Sequence, residues 1–398
     1  MSHFDFLLIG IDGGATEVKA HQIMLEGDPK APVFRLGDLQ AMKKYEKVGD
    51  FVPVPVADQF RQRDEGAIQL TDPEREQGDL YIEAAAQVVR EIVSLADSGR
   101  EVLVGMGMPG LKTPDGRGIN VINHGPRMPE FLNRLEKKLR DSDITLVKPV
   151  ARLGSDADYC GIGEEFAEGG AFRGAENAYY AGLGTGVADA MKLHGKLATF
   201  DSAKEWIQKS WQMTCSLGVT FEKVISAKSM NGLYANLLGR EGDMLVNEGR
   251  FPQDEAVEGR PLAQFTMHTV AAVLAELLFE RIQTVAAGRR MLSWRGPAYL
   301  ALNPEHPFRG TLLDRVVIGQ RLGFVYSDDR YVDVFRRPLL ACLAELISAR
   351  GDSMLRARYL KPGGKELADG VVIGSRLRAA PAIGAAVAAY EAAFGQAS

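Results

Sequence analysis

The sequence predicts an α/β fold, and three observations predict it. Short apolar runs end in glycine-rich turns, as where Phe6–Ile11 meets Asp12-Gly13-Gly14-Ala15-Thr16. Stretches with apolar residues at helical spacing lie between those runs, as in Asp79–Asp97. Glycine supplies 43 of the 398 residues, about 11% against a usual ~7%. Strands alternating with helices are the pattern of an α/β chain, and the length suggests two to three domains.

Phe6–Ile11 reads as a buried strand and Val18–Ile23 as its hairpin partner across the glycine turn. Residues 26–76 are polar and broken by Pro and Gly, so they read as an irregular or β-rich surface insertion. Asp79–Asp97 places Ile82, Val88, Val89, Ile92 and Leu95 at helical spacing. Val102–Met106 reads as a strand ended by Gly107-Met108-Pro109-Gly110. Glu130–Leu139 reads as an amphipathic helix and Ile144–Leu153 as a strand, after which Ser155 is placed to cap a helix to about Glu168. Ala178–Leu183 and Val187–Leu193 read as strands on either side of Gly184-Thr185-Gly186. Residues 201–239 read as helical, and 262–287 as one long, mostly apolar helix. Val316–Ile318 reads as a strand before Gly319, Pro338–Ala349 as a helix and Gly370–Ile373 as a strand, with Ala382–Phe394 as an Ala-rich closing helix. Val316–Leu322 and Val371–Leu377 form a faint strand-plus-glycine repeat.

Hydrophobic residues at 46% and charged residues at 25% are those of an ordinary globular chain, which excludes disorder. Lys and Arg number 47 against 52 Asp and Glu, a net charge of −5. No basic excess points to nucleic acid or an anionic membrane. Cys160, Cys215 and Cys342 are too scattered for a disulfide framework and fit a reducing, cytoplasmic setting. The N-terminal residues show no signal-peptide pattern, and no uninterrupted run of about 18 apolar residues suggests a membrane span.

Four clusters could carry chemistry, and each has a plain structural reading beside it. In Asp12-Gly13-Gly14-Ala15-Thr16, glycine N–H groups and the Thr hydroxyl could cradle an anion, with Asp12 serving Mg²⁺. The same residues make an ordinary hairpin turn. Gly184-Thr185-Gly186 repeats that logic with the same ambiguity. In Gly154-Ser155-Asp156-Ala157-Asp158 a carboxylate could accept a proton from a substrate hydroxyl, or the group could simply cap a helix. Glu205 and Gln208 would share one helical face and could grip sugar hydroxyls, or be solvated there, and Glu222 carries the same two readings. His124 sits alone in a loop, and no metal-ligand spacing emerges among the six histidines.

Taken in order, these motifs resemble the ROK-type sugar kinases of the ASKHA superfamily (sugar kinases, heat-shock chaperone ATPases and actin). Asp12-Gly13-Gly14-Ala15-Thr16 is similar to that family's first phosphate loop. Gly105-Met106-Gly107-Met108-Pro109-Gly110 is similar to its Gly-x-Gly-x-Pro-Gly strand end, and Ser155-Asp156-Ala157-Asp158 to its Asn-Asp-Ala-Asn. Gly184-Thr185-Gly186 resembles the second phosphate loop, Val317-Ile318-Gly319 the adenosine-side strand, and Ile383-Gly384-Ala385-Ala386 the closing helix. The likeness spans 8–25, 100–230 and 262–390, with 26–76 and 288–312 as insertions.

The resemblance implies a two-lobed, ribonuclease H-like (actin-like ATPase) fold with a cleft between the lobes. An N-terminal lobe would span 1–155 and be completed by a helix at about 381–398, and 156–380 would form the C-terminal lobe. It also implies ATP and Mg²⁺, a sugar substrate and a homodimer. Asp156 would be the general base, and Asp12 would hold Mg²⁺, through water. Gly13, Gly14, Thr16, Gly184, Thr185 and Gly186 would cradle phosphates, with Gly319 near the adenosine. Gly110, Asn123, Ser155, Glu205, Gln208 and Glu222 would lie on the sugar side. There are departures. Ser155 replaces the family's Asn, and Glu205-Trp206-Ile207-Gln208 replaces a Glu-x-Gly-His motif. The three zinc cysteines fall at Met213, Cys215 and Thr220, so no zinc is expected. Ala188-Asp189 replaces a glycine pair. The expected activity is ATP-dependent phosphorylation of a sugar hydroxyl, and the alternative is a catalytically degenerate binder of the same fold. A sugar-sensing repressor is not expected, because only 11 residues precede Asp12.

Overall fold

The computed structural model describes residues 5–14, 17–97, 99–123, 125–203, 206–288 and 302–395, with 201, 202 and 243 described by backbone alone. The chain forms two compact units, residues 1–170 with 379–398, and residues 171–378. In the first unit the order is β1 (Phe6–Gly13), β2 (Glu17–Glu26), β3 (Val33–Lys44), α1 (Val56–Asp64), α2 (Asp72–Ala96), β4 (Glu101–Gly107), β5 (Leu111–Lys112), β6 (Ile119–Val121), α3 (Phe131–Arg140), β7 (Leu153–Gly154) and α4 (Asp156–Phe166). Its main sheet runs β3-β2-β1-β4-β7, with β1–β3 antiparallel and β1, β4 and β7 parallel.

The second unit holds β8 (Ala178–Leu183), β9 (Val187–Leu193), β10 (Lys196–Ala198), α5 (Phe200–Ala203), α6 (Glu222–Ile225), α7 (Ala227–Leu237), α8 (Gly242–Asn247), α9 (Pro252–Val257), α10 (Pro261–Ala287), β11 (Arg315–Gly319), α11 (Gln320–Ser327), α12 (Arg337–Arg350), α13 (Ser353–Tyr359) and β12 (Val372–Gly374). Its sheet runs β10-β9-β8-β11-β12, again with three antiparallel strands followed by two joined in parallel. The two units therefore share one strand plan. The chain then returns to the first unit as α14 (Ala380–Phe394).

Local chemistry explains the main elements. Thr71 caps α2, its hydroxyl accepting the Glu74 N–H at 3.3 Å, with Pro73 inside the first turn. The inner stripe of α2 (Ile82, Val88, Val89, Ile92) is buried, and the helix packs on β2, β3 and α3. The small-residue face of α14 lets it lie close on its neighbours. A Cβ on Gly10 of β1 would come within 1.9 Å of the Ala382 carbonyl oxygen, and one on Gly105 of β4 as close to that of Ala385. In the second unit α10 is apolar nearly all round and runs through the core, burying Leu274, Leu277, Phe279 and Ile282. By length and composition α10 could cross a membrane, but here it is mostly buried inside the unit, with Glu276, Glu280, Arg281 and Gln283 along it.

Four expectations need correction. Residues 26–76 are not a surface insertion throughout, because β3 is an integral strand whose Phe34 and Ala41 are buried, and α2 already starts at Asp72. Residues 144–152 form no named strand and add only an isolated bridge from Leu146 to Val102. The 201–239 stretch is not one helical run. After α5 it turns irregular because the Asp189 carboxylate takes the Ser210 N–H at 2.8 Å and Ile207 and Met213 turn into the core. The first unit ends at Gly170 rather than at 155, because α4 packs on α14.

Candidate active site

In the first unit the parallel register gathers the chemistry at one end of the sheet. Asp12 of β1 pairs with Gly107 of β4, and Gly107 pairs with Gly154 of β7. Asp156 follows two residues later as the first residue of α4. Ligands of open α/β sheets collect at this carboxyl edge of the strands. The Gly13-Gly14 turn is closed by the Gly14 N–H on the Glu17 carbonyl at 2.9 Å, and the Tyr45 hydroxyl donates to the Gly14 carbonyl at 3.2 Å. Gly107 and Gly154 are both glycine because the Tyr159 ring lies where their Cβ atoms would be. Gly110 has a φ of +101°, and a Cβ there would stand 2.8 Å from the Val121 carbonyl oxygen.

Asp12 is buried beside the Asp156 carboxylate. Burial first, and then the Asp156 carboxylate, push the Asp12 carboxyl up from 3.8 to about 6, with Lys19 opposing and Glu17 adding. Two carboxylates close enough to interact in a partly buried corner are a donor set that suits a hard divalent cation. Ser155 stands at the N-cap of α4, but its hydroxyl makes no capping bond, so the plain capping reading fails for its side chain. Behind the turn lies Tyr81 of α2, 3% exposed. Its hydroxyl oxygen is 2.3 Å from where a Gly13 Cβ would be and has no hydrogen-bond partner. Burial raises its phenol well above the ordinary range, with Tyr45, Asp12 and Asp156 adding.

Asn123 is exposed on a loop held from both sides. On one side Gln59 of α1 accepts the Ile122 N–H at 2.8 Å and donates to the Ile122 carbonyl at 2.9 Å. On the other side the buried Arg127 meets the buried Glu74 of α2 with two side-chain bonds of 2.8 and 2.7 Å, and its N–H adds a third at 3.0 Å. Arg127 also donates to Gln62 Oε1 at 2.6 Å and to the Gln69 carbonyl at 2.8 Å. The 46–76 segment thus clasps the loop that carries Asn123.

The second unit repeats the arrangement. Gly182 at the end of β8 pairs with Gly319 at the end of β11. Gly184-Thr185-Gly186 forms the β8–β9 turn, closed by the Gly184 N–H on the Gly186 carbonyl at 3.0 Å, with Thr185 exposed. Glu222, placed on the sugar side by the resemblance, lies at this turn, where its carboxylate accepts the Val187 N–H at 3.0 Å. Gly319 lies against the Tyr180 ring. Gln320 follows with a φ of +56°, unusual for a residue with a side chain, and its carboxamide lies over Gly182 and Gly184.

Gln208 lies outside any helix. Its carboxamide oxygen is buried with no partner. Asp189 has turned into the core, where Arg281 at 2.9 Å, the Tyr179 hydroxyl at 2.6 Å and the Ser210 hydroxyl at 2.5 Å surround its carboxylate. Met213 and Cys215 are fully buried in the apolar core. One thiol does not fit a four-ligand zinc site, and no group of three His, Cys, Asp or Glu gathers among the described residues. Thr16, His124 and Glu205, and residues 289–301 of the expected second insertion, lie outside the described residues. Sequence reasoning missed Tyr81, Gln59, Glu74 and Arg127. Tyr81 falls inside the predicted 79–97 helix but off its named apolar positions, Gln59 and Glu74 fall inside the 26–76 stretch read as surface, and Arg127 carries no motif.

No family model matches the sequence, and no curated protein matches it. Solved structures match its fold over nearly the whole chain. A ROK family glucokinase from Streptomyces griseus, in complex with glucose and AMPPNP, is 14% identical with a TM-score of 0.54, covering 96% of this chain and 98% of its own. A ROK family protein from Streptococcus pneumoniae TIGR4, in complex with sucrose, is 14% identical with a TM-score of 0.52, covering 97% and 99%. A ROK family transcriptional regulator, a homolog of the E. coli MLC protein, is 10% identical with a TM-score of 0.56, covering 98% of this chain and 79% of its own. The chain has the α/β fold of the ROK-type sugar kinases.

Proposed function

We propose that this protein transfers a phosphoryl group from ATP to a hydroxyl of a sugar or sugar-like molecule. The observation that carries this reading is the register row Asp12–Gly107–Gly154, with Asp156 two residues beyond it. The row puts two interacting carboxylates beside a glycine turn at the binding edge of a parallel sheet. The glucokinase of the same fold holds glucose and AMPPNP, which supports a sugar and a nucleotide as the ligands.

Asp156 accepts the proton of the attacking hydroxyl as that oxygen bonds to the γ-phosphorus. The bond from the γ-phosphorus to its bridging oxygen breaks, and ADP leaves. Gly13, Gly14 and Thr16 in the first unit, and Gly184, Thr185 and Gly186 in the second, offer backbone and hydroxyl donors to phosphate oxygens. Gly319 lies on the adenosine side. Asp12 is the residue that would hold Mg²⁺, which when bound supplies positive charge against the phosphates. Asn123, Gly110 and Ser155 serve the sugar, with the Asn123 loop fixed by Gln59 and Arg127.

The test is Mg-ATP-dependent ADP release over a panel of hexoses, N-acetylhexosamines and polyols, with Asp156→Ala beside the wild type. Sugar-dependent release that falls about 10²–10⁴-fold in the variant is expected. A second reading, a sugar- or nucleotide-binding protein without turnover, rests on the Gln320 carboxamide over Gly182 and Gly184. Ligand binding without release for any sugar would select it.

A further inference from the structure

Two of the three residues in the second glycine turn, Gly184-Thr185-Gly186, carry no side chain that could fix its shape. Within the turn, the Gly184 N–H closes on the Gly186 carbonyl at 3.0 Å. One short segment, residues 222–227, then ties the turn at both ends. The Ala227 N–H, the first of α7, donates to the Gly184 carbonyl at 2.8 Å. The carboxylate of Glu222, the first residue of α6, accepts the Val187 N–H at 3.0 Å. The same carboxylate oxygen stands 2.9 Å from where a Gly186 Cβ would be, so a side chain there would push Glu222 aside. The segment is itself anchored. Phe221 is fully buried, with its N–H on the Met213 carbonyl at 2.9 Å, and the Ser226 hydroxyl caps α7 by accepting the Ser229 N–H at 3.1 Å. A carboxylate and a phosphate oxygen are both acceptors, so Glu222 offers a phosphate nothing directly. What it offers is a strong, charged acceptor for the backbone.

We propose that Glu222 is a positioning residue for the nucleotide phosphates: it holds the Val187 end of the second glycine turn, so that the donors of the turn keep the spacing phosphate oxygens need. The assignment rests on the kinase reading of the site. It moves Glu222 from the sugar side, where the resemblance puts it, to the nucleotide side. Glu222 acts through the backbone and touches neither phosphate nor sugar. With Ala227 holding the Gly184 end, the turn is shaped before the ligand arrives, and binding does not have to order it. Without the carboxylate the Val187 N–H is released, and the nucleotide must order the turn at the expense of its own affinity.

The test uses the full chain as wild type, Glu222→Ala and Glu222→Gln. Calorimetry measures the affinity for Mg²⁺–ADP well below each variant's melting midpoint, and steady-state kinetics follow ATP and the best sugar of the panel. Glu222→Ala should bind Mg²⁺–ADP about tenfold more weakly, the size of one lost charge-assisted hydrogen bond. Glu222→Gln keeps an acceptor oxygen and should restore most of that loss. The KM for ATP should rise in the alanine variant while the KM for the sugar stays put. Should the alanine variant not fold, Glu222→Asp carries the same test, because its shorter arm withdraws the carboxylate from Val187 and should weaken Mg²⁺–ADP in the same way. Unchanged Mg²⁺–ADP affinity in the alanine or aspartate variant would overturn the assignment, and so would a glutamine variant as weak as the alanine one. A raised KM for the sugar with that for ATP unmoved would put the carboxylate on the sugar and overturn it too. A wild type that binds no Mg²⁺–ADP would remove the kinase reading together with this assignment, a result distinct from wild-type binding that ignores position 222.

Discussion

A carboxyl that stays protonated to about pH 6 in the folded chain weakens that chain wherever it must ionise. For Asp12 the folded value lies above the unfolded one, so the folded state binds more protons between about pH 4 and pH 6. Stability must fall as pH rises through that window and stay lowered above it. Asp12→Asn should therefore be more stable than the wild type near pH 7.5, by on the order of 2 kcal/mol. The gap should close as the pH is brought down toward about 4, which paired melting curves at several pH values would read. A second prediction concerns Gly13. Gly13→Ala puts a methyl within 2.3 Å of the Tyr81 oxygen, so it should destabilise the chain, and Tyr81→Phe should recover part of the loss in denaturant titrations. At this scale the sequence offers the glycines and acids of the candidate site, since turn chemistry and short motifs are local. It could not show that the Tyr81 hydroxyl is buried against Gly13, because a helix delivers it to a strand end some 68 residues earlier in the chain.

Helices and strands tell a similar story about range. β1, β2, β4, β8, β9, α10 and α14 were legible because apolar runs and helical periods are written into contiguous residues. β3 was not, because its burial alternates weakly and its partner is β2 rather than any pattern of its own. The clasp from α1 and α2 was equally hidden, since Glu74 falls in a stretch read as surface and nothing near Arg127 in sequence says that the fold buries both. Breaking it should be expensive. Arg127→Met leaves Glu74 buried without its cation, so a loss of about 3–5 kcal/mol is expected from chemical denaturation. On the proposed function, protein that still folds should show a raised KM for sugar through the freed Asn123 loop, with a smaller effect on the KM for ATP. At the head of α11, Gln320→Gly should relieve a left-handed backbone and raise the melting temperature slightly, a change of about 1 kcal/mol.

On the scale of the molecule, the two units share a strand plan, and the faint repeat in the sequence marks neighbouring strands β11 and β12 rather than that duplication. What repeats is the order of three antiparallel strands and two parallel additions, which sequence periodicity does not encode. The cut between units was misplaced for a related reason, because α4 belongs with a helix more than 200 residues later. Unit 171–378 is continuous, so expressed alone it should melt cooperatively, whereas residues 1–170 alone should not, and calorimetry of the two fragments would check both. The return of α14 also has a consequence in time. A ribosome adding roughly 5–20 residues per second needs on the order of 10–40 seconds to make the intervening unit. Throughout that interval the face of β1 and β4 that α14 covers stands open, and the sheet edge bearing Asp12 lacks its backing. Nascent chains should need shielding there, and the carboxyl edge of the first unit's sheet should be the last part of the protein to mature, although its strands are among the first residues made.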